Sequence, residues 1–419
     1  MQSPVYDNLI KRLNRFPQGA PSSTALYRLL RVLFTEREAE LVSLLPIKPF
    51  DVQQASRIWK MNVVSAQKEL DCLASRALIL DIESPQGKTV YALPPPMPGF
   101  FEFSMMRLRD DVNQKLLAEL FHQYLTVETD FFNDLFRDGP TQVGRIFVNE
   151  TVLRAAYVLD YERASEVIRN ATHRAVGMCY CRHKMSYLDK ACDAPMDICM
   201  TFNGAAQSLI KHHYARSVDV CEGLDLLQQA YAHHLVQFGE NTQQGVSFIC
   251  NCCGCCCEAM IAARRFGFMR PIHTSNFLPQ VNITICKGCG RCVSVCPVEG
   301  MTLVSANDSQ HSERKIAKVD EDCCLGCGVC ARVCPQQGIT LVPRPQRVIT
   351  PVNSIHRIVL MAVERGQLQH LIFDNHVLWS QRTLATFLGA LLKLPPLKRL
   401  LASQQVRSRY LEALARRFS

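Results

Sequence analysis

Residues 286–297 read Cys-Lys-Gly-Cys-Gly-Arg-Cys-Val-Ser-Val-Cys-Pro, and residues 324–335 read Cys-Leu-Gly-Cys-Gly-Val-Cys-Ala-Arg-Val-Cys-Pro. The same spacing, C-x2-C-x2-C-x3-C-P, thus occurs twice with a period of 38 residues. Three cysteines at two-residue gaps can wrap three iron corners of a cubane while the intervening amides turn toward its sulfides. Each proline after the fourth cysteine ends a helical turn, and Gly288, Gly290, Gly326 and Gly328 let the backbone approach closely. Strands are expected before the runs at 281–285 and 316–319, and after them at 301–304 and 339–342. Eight cysteines with two Cys-Pro endings are poor material for a structural zinc site. Cys323 does not fit the spacing and is expected to be a spare thiol.

Over residues 280–345 the chain resembles the bacterial ferredoxin family that carries two 4Fe–4S clusters. In that pattern the fourth cysteine of each run serves the opposite cluster. The resemblance implies one cluster on Cys286, Cys289, Cys292 and Cys334, and a second on Cys324, Cys327, Cys330 and Cys296. It also implies single-electron transfer.

Two further cysteine groups lie upstream. Cys179, Cys181, Cys192 and Cys199 sit among Arg174, Arg182, His183 and Lys184, cationic neighbours that favour thiolates. Zinc and a cluster are both open to four such ligands, and a third 4Fe–4S cluster is the expectation. The denser group is Cys250, Cys252, Cys253, Cys255, Cys256 and Cys257. In an extended chain Cys250 and Cys252 share one side and Cys253, Cys255 and Cys257 the other, unless Gly254 breaks the run. This group is a candidate further Fe–S site, shared with Cys221, or a reactive thiol patch. Cys72 is expected to pack inside a helix bundle.

The whole chain has 419 residues, a net charge of +9 and 48% hydrophobic residues, enough for several domains with buried cores. Its 21 cysteines far exceed packing needs. With no apolar leader in the first 25 residues and no apolar stretch of membrane-spanning length, thiolate metal binding in a reducing cytoplasm is expected. No G-x-G-x-x-G precedes a helix, and neither a G-x-x-x-x-G-K-[ST] phosphate loop nor a histidine metal motif occurs. A nucleotide-cofactor site is therefore not expected.

An α+β, multidomain fold is predicted. Residues 1–94 form a first domain whose part 23–94 resembles the winged helix-turn-helix family: helices over 23–34, 35–45, 52–59 and 63–76, then strands at 78–82 and 89–93 around a turn at 84–88. Pro94-Pro95-Pro96-Met97-Pro98 reads as a stiff linker. Residues 99–275 are expected to be mostly helical and Cys-rich, with a helix over 223–238 and aromatic stripes at Phe100, Phe101, Phe103, Phe131, Phe132 and Phe136 in its core. Residues 276–345 are the dicluster domain. A helical tail over 350–419, interrupted at Pro395-Pro396, carries Lys393, Lys398, Arg399, Arg407, Arg409, Arg416 and Arg417 against Glu412 alone over residues 391–419; it reads as a solvated basic face, and an acidic partner, nucleic acid or membrane surface is the alternative.

Three functions compete. The leading one is an iron–sulfur electron-transfer protein, or a subunit of an oxidoreductase complex, that passes single electrons between redox protein partners. A redox-sensing winged-helix regulator is the first alternative, but residues 62–76 balance Lys68 and Arg76 with Glu69 and Asp71, so DNA is the less favoured partner. A reductase acting at Cys250–Cys257 is the second.

Overall fold

Ser23, Thr35, Asp51 and Asn62 each stop a turn and start a helix. Ser23 Oγ accepts from the Leu26 N–H at the head of Thr24–Leu33. Thr35 and Glu38 form a reciprocal capping box on Glu36–Leu44, and Asp51 and Gln54 do the same on Val52–Trp59. Asn62 Oδ1 takes the Ser65 N–H at the start of Val63–Ser75. Strands β1 (Leu80–Glu83) and β2 (Thr89–Ala92) then pair antiparallel, from Leu80 opposite Ala92 to Glu83 opposite Thr89. An additional helix, Pro4–Leu13, precedes this set and was not expected from the sequence; its Tyr6, Leu9, Ile10 and Leu13 are buried, and the Tyr6 hydroxyl donates to the Phe34 carbonyl at 2.9 Å.

The structure, a computed structural model, describes residues 3–84, 86–137, 140–153, 158–265, 273–307, 313–348 and 350–373. The expected basic tail over 391–419 lies outside them, as do Pro85 and the Phe136 side chain. The chain divides into two units, residues 1–141, 204–216 and 352–419 in the first, 142–203 and 217–351 in the second. The proline run 94–98 therefore lies inside the first unit instead of separating two domains, and Pro96 and Met97 are buried there. Beyond it Phe100, Phe101 and Phe121 pack into the core edge-on and tilted, with ring centroids 4.8 and 5.2 Å apart.

In the first unit a buried carboxylate ties the β1–β2 hairpin to the helix residues 204–211. Asp81 accepts from Ser208 Oγ at 2.6 Å, Lys211 Nζ at 2.5 Å and His212 Nε2 at 3.0 Å. Burial alone would raise this carboxyl, but those three bonds outweigh it and hold the pKa down at about 2.

The second unit corrects the expectation of a mostly helical stretch over 99–275. Strands β3 (Gly144–Ile146), β4 (Arg174–Met178), β5 (Asp197–Phe202), β7 (Val236–Glu240) and β8 (Phe248–Cys252) form one sheet in the order β3-β7-β8-β5-β4, and the short strand β6 (Ala215–Ser217) falls at the boundary between the two units. The strands are three to six residues long. Runs this short carry too few alternations to stand out from a buried helical segment. The helix expected over 223–238 is Val220–Ala232, capped by Asp219; His234 takes a left-handed conformation, and the chain turns straight into β7. Ile249, Met200, Phe202, Leu227 and Tyr231 build the core on one face of the sheet.

Residues 277–343 fold as two interlocked halves. Strand β9 (Phe277–Val281) pairs antiparallel with β12 (Ile339–Pro343), and β10 (Met301–Ser305) with β11 (Lys315–Val319). The first strand lies earlier than the expected 281–285. Asn282 accepts the Thr284 N–H and hydroxyl on its side chain and the Cys286 N–H on its carbonyl, which coils 282–286 into a turn and leaves Ile283 59% exposed. Among the described residues no helix is long and apolar enough to cross a membrane.

Candidate metal centres

The 38-residue repeat is also a repeat of hydrogen bonds. Asn282 N–H donates to the Gly338 carbonyl, and Asp320 N–H to the Gly300 carbonyl. Cys286 N–H then returns to Asn282, and Cys324 N–H to Asp320. Each half is thus pinned at its start by the end of the other. Gly288 and Gly326, at φ +63° and +69°, occupy equivalent places, where an added Cβ would run into the backbone of Lys315 and of Phe277. Two short helices, Arg291–Ser294 and Val329–Arg332, follow glycines in left-handed conformation.

Two cavities result. One is lined by Cys286, Cys289, Cys292 and Cys334, with Leu303, Ala317 and Ile339 as apolar walls. The other is lined by Cys296, Cys324, Cys327 and Cys330, with Met301, Leu325 and Val329. In each cavity, three sulfurs come from one run and the fourth from the other. Amide donors already reach four of the sulfurs: Gly300 N–H to Cys296 at 3.2 Å, Gly338 N–H to Cys334 at 3.3 Å, Gly326 N–H to Cys324 at 3.4 Å and Ala317 N–H to Cys286 at 3.4 Å. Such donors stabilise charge on sulfur. Burial pushes the Cys324 thiol up to about 11 and Cys327 to about 12, so these thiols hold their protons until a cation replaces them. Soft donors around an apolar cup fit a thiolate-bound iron cluster.

The upstream cysteines converge in a basin built by the sheet. Strand β4 ends at Met178, and Cys179 caps the helix Tyr180–Ser186, which carries Cys181. Cys199 lies in β5 opposite Gly177 of β4. Along β8, Ile249 and Asn251 face the other way from Cys250 and Cys252. Asn251 is buried and donates to the Ile198 carbonyl at 2.7 Å while accepting from Gln237 at 3.0 Å. Residues 254–256 then turn, and Cys257 comes back toward Cys252.

The ten sulfurs of the basin fall into two sets. Cys179, Cys181, Cys257, Cys252, Cys250 and Cys199 form one set in which each thiol neighbours the next around a closed ring. The thiols shift one another: neighbouring sulfurs lower Cys179, Cys250 and Cys257 and raise Cys181, Cys199 and Cys252 from the ordinary thiol value. Six like charges this close cannot coexist without a cation among them. Cys192, Cys253, Cys255 and Cys256 form the second set, all sulfurs lying within 4.8 Å of one another.

This grouping differs from the sequence expectation in two places. Cys192 was grouped with Cys179, Cys181 and Cys199, yet its immediate neighbours are Cys253, Cys255 and Cys256, because Lys190 to Pro195 loops over the 254–256 turn. Cys257, expected beside Cys253 and Cys255 unless Gly254 breaks the run, joins Cys250 and Cys252, because the chain does turn at 254–256. Cys221 is exposed on its helix and belongs to neither set, and Cys72 is exposed instead of packed.

Arg182 lies wholly buried between the sets, donating to the Pro195 carbonyl at 2.9 Å and the Asn251 carbonyl at 2.8 Å. Burial alone would lower its guanidinium, yet the sulfurs of Cys179, Cys253, Cys199 and Cys192 hold it above its ordinary value. Lys184 on the same helix makes a fully buried ion pair with Glu258, at the head of the helix Glu258–Arg265. Nothing in the local sequence pattern joins these two residues, which lie so far apart along the chain.

The basin touches the cups. A Cβ on Gly254 would lie 2.7 Å from the carbonyl oxygen of Pro297, the residue after Cys296. Arg264 also pairs with Glu299 at 3.2 Å.

The family model described as a 4Fe-4S dicluster domain matches residues 285–338. No curated protein and no solved structure matches the chain. The matched stretch covers both cysteine runs and establishes an iron–sulfur, ferredoxin-type region.

Proposed function

We propose that the chain is an iron–sulfur electron-transfer protein, or the electron-transfer subunit of an oxidoreductase complex. Cys286, Cys289, Cys292 and Cys334 hold one 4Fe–4S cluster, and Cys324, Cys327, Cys330 and Cys296 hold a second. Such clusters exchange single electrons with little rearrangement. The observation that carries this reading is the lining of the two cavities by these two sets of four cysteines. The ring of Cys179, Cys181, Cys199, Cys250, Cys252 and Cys257 takes a further iron–sulfur centre, and the close approach of Gly254 to Pro297 gives it a short path to the second cup. A reducing compartment, the cytoplasm, suits so many free thiols.

In this reading the winged-helix-like domain over 1–94 docks a protein partner. The helix Val63–Ser75 places Val63 and Val64 in solvent, 44% and 68% exposed, and its Glu69 is paired with Arg37. Those groups are ill suited to phosphate contacts. Weak duplex binding at low salt, or none, is the expected outcome of a filter or anisotropy assay.

Anaerobic purification followed by iron and acid-labile sulfide quantification tests the proposal. The two cups account for about eight irons and eight sulfides per chain, and the ring adds to that count. Reductive titration by electron paramagnetic resonance should show fast-relaxing, interacting cluster signals. A chain free of labile sulfide would sink the proposal.

A further inference from the structure

The second thiol set has dimensions that the cups do not share. Cys192 Sγ lies 3.6 Å from Cys253 Sγ, Cys255 Sγ lies 3.7 Å from Cys256 Sγ, and all four sulfurs fall within 4.8 Å of one another. Four sulfurs at about 2.3 Å from one tetrahedral ion are about 3.8 Å apart. Thiolates on the corners of a cubane must be spread to roughly 6 Å. The set is therefore the size of a mononuclear centre, and too tight for a cluster.

We infer that Cys192, Cys253, Cys255 and Cys256 bind one tetrahedral divalent metal ion of the zinc class. Cys192 comes from the loop between the helix Tyr180–Ser186 and β5, and the other three come from the turn that follows β8. The ion cross-links these two segments beside the six-thiol ring. Buried Arg182 supplies positive charge next to a tetrathiolate site that carries a net negative charge, and its Nε, buried, meets no hydrogen-bond partner among the described residues. Among ferrous iron and zinc, thiolate sites of this kind hold zinc more tightly. Binding releases the thiol protons to solvent, so no redox step is involved.

The inference stands apart from the electron-transfer reading, because zinc content tests one and iron with sulfide tests the other. The full-length chain, purified anaerobically from cells grown with zinc, should contain about one zinc per chain by elemental analysis. Its zinc absorption-edge fine structure should show four sulfur neighbours at about 2.3 Å. Cys192→Ser and Cys256→Ser should each lose that zinc while iron and sulfide stay unchanged, and Cys221→Ser should keep it. Zinc retained in both variants, or iron and sulfide falling with them, overturns the inference. Should the variants not fold, the wild-type spectrum decides: nitrogen or oxygen neighbours, iron in place of zinc, or no bound metal overturns it equally.

Discussion

The two cups and the basin gather similar numbers of cysteines by opposite means. In the cups, three of every four sulfurs come from a single run whose spacing matches a tight, glycine-permitted turn, and the fourth arrives through a repeat of the same run. In the basin, sulfurs come from the helix Tyr180–Ser186 and the residue before it, from β5, from the loop at Cys192 and from both β8 and the turn after it. The cups are written in local backbone geometry. The basin is written in sheet register, where one residue of slip would turn Cys250 and Cys252 to the face now held by Ile249 and Asn251.

The comparison can be broken most sharply at Cys334. Cys334→Ala should cost the chain about four irons and remove the signal of the cup built on Cys286, Cys289 and Cys292, leaving the cup next to it in sequence intact. Iron analysis with electron paramagnetic resonance reads this directly, and loss of the other cup alone would contradict it.

A smaller effect separates basin from cups by stability. Lys184→Met leaves the Glu258 carboxylate buried without its partner and should cost about 3–5 kcal/mol. The cost should fall when Glu258→Gln is added. Anaerobic urea unfolding should show the basin thiols reacting with a thiol reagent before the cup clusters bleach; simultaneous loss would mean the two regions form one cooperative block.

Asp81 provides the smallest change and a control in the first unit. Its folded pKa of about 2 lies below the ordinary carboxylate value of 3.8, so its contribution is complete above about pH 4 and lost as pH falls toward 2. Asp81→Asn should lower stability by about 2 kcal/mol near neutral pH, with wild type and variant converging in acid. Neither iron nor zinc content should change. A pH-independent difference in the urea midpoint would show that the carboxylate charge is not what Asp81 contributes.

Legibility in the sequence followed the range over which each choice is made. Ser23, Thr35, Asp51 and Asn62 announce their helices because a cap is decided within four residues. The dicluster region was legible for the same reason, apart from β9, where apolar Ile283 and Ile285 imitate a strand that the Asn282 turn forbids. The sheet over 144–252 was not legible: β4 and β8 hold only five residues each, and both join through β5, where Gly177 meets Cys199 and Met200 meets Ile249 across long stretches of chain. The split of the basin into six and four sulfurs depends on that sheet and on the reversal at Gly254, which no spacing rule encodes.

The exchange of chain ends between the two halves also sets a timetable. As the polypeptide leaves the ribosome, Cys286, Cys289 and Cys292 emerge with no fourth sulfur, and Asn282 has no Gly338 to hold its amide. The second run meets no such delay, since its fourth donor, Cys296, is already made and waiting. The first cup cannot close before Cys334 and Gly338 have been synthesised, whereas the second has all four of its sulfurs once Cys330 is made. A cell that loads this protein must therefore keep the early thiols of the first run reduced during translation, and a messenger truncated before codon 334 yields a chain whose first cup lacks its fourth sulfur.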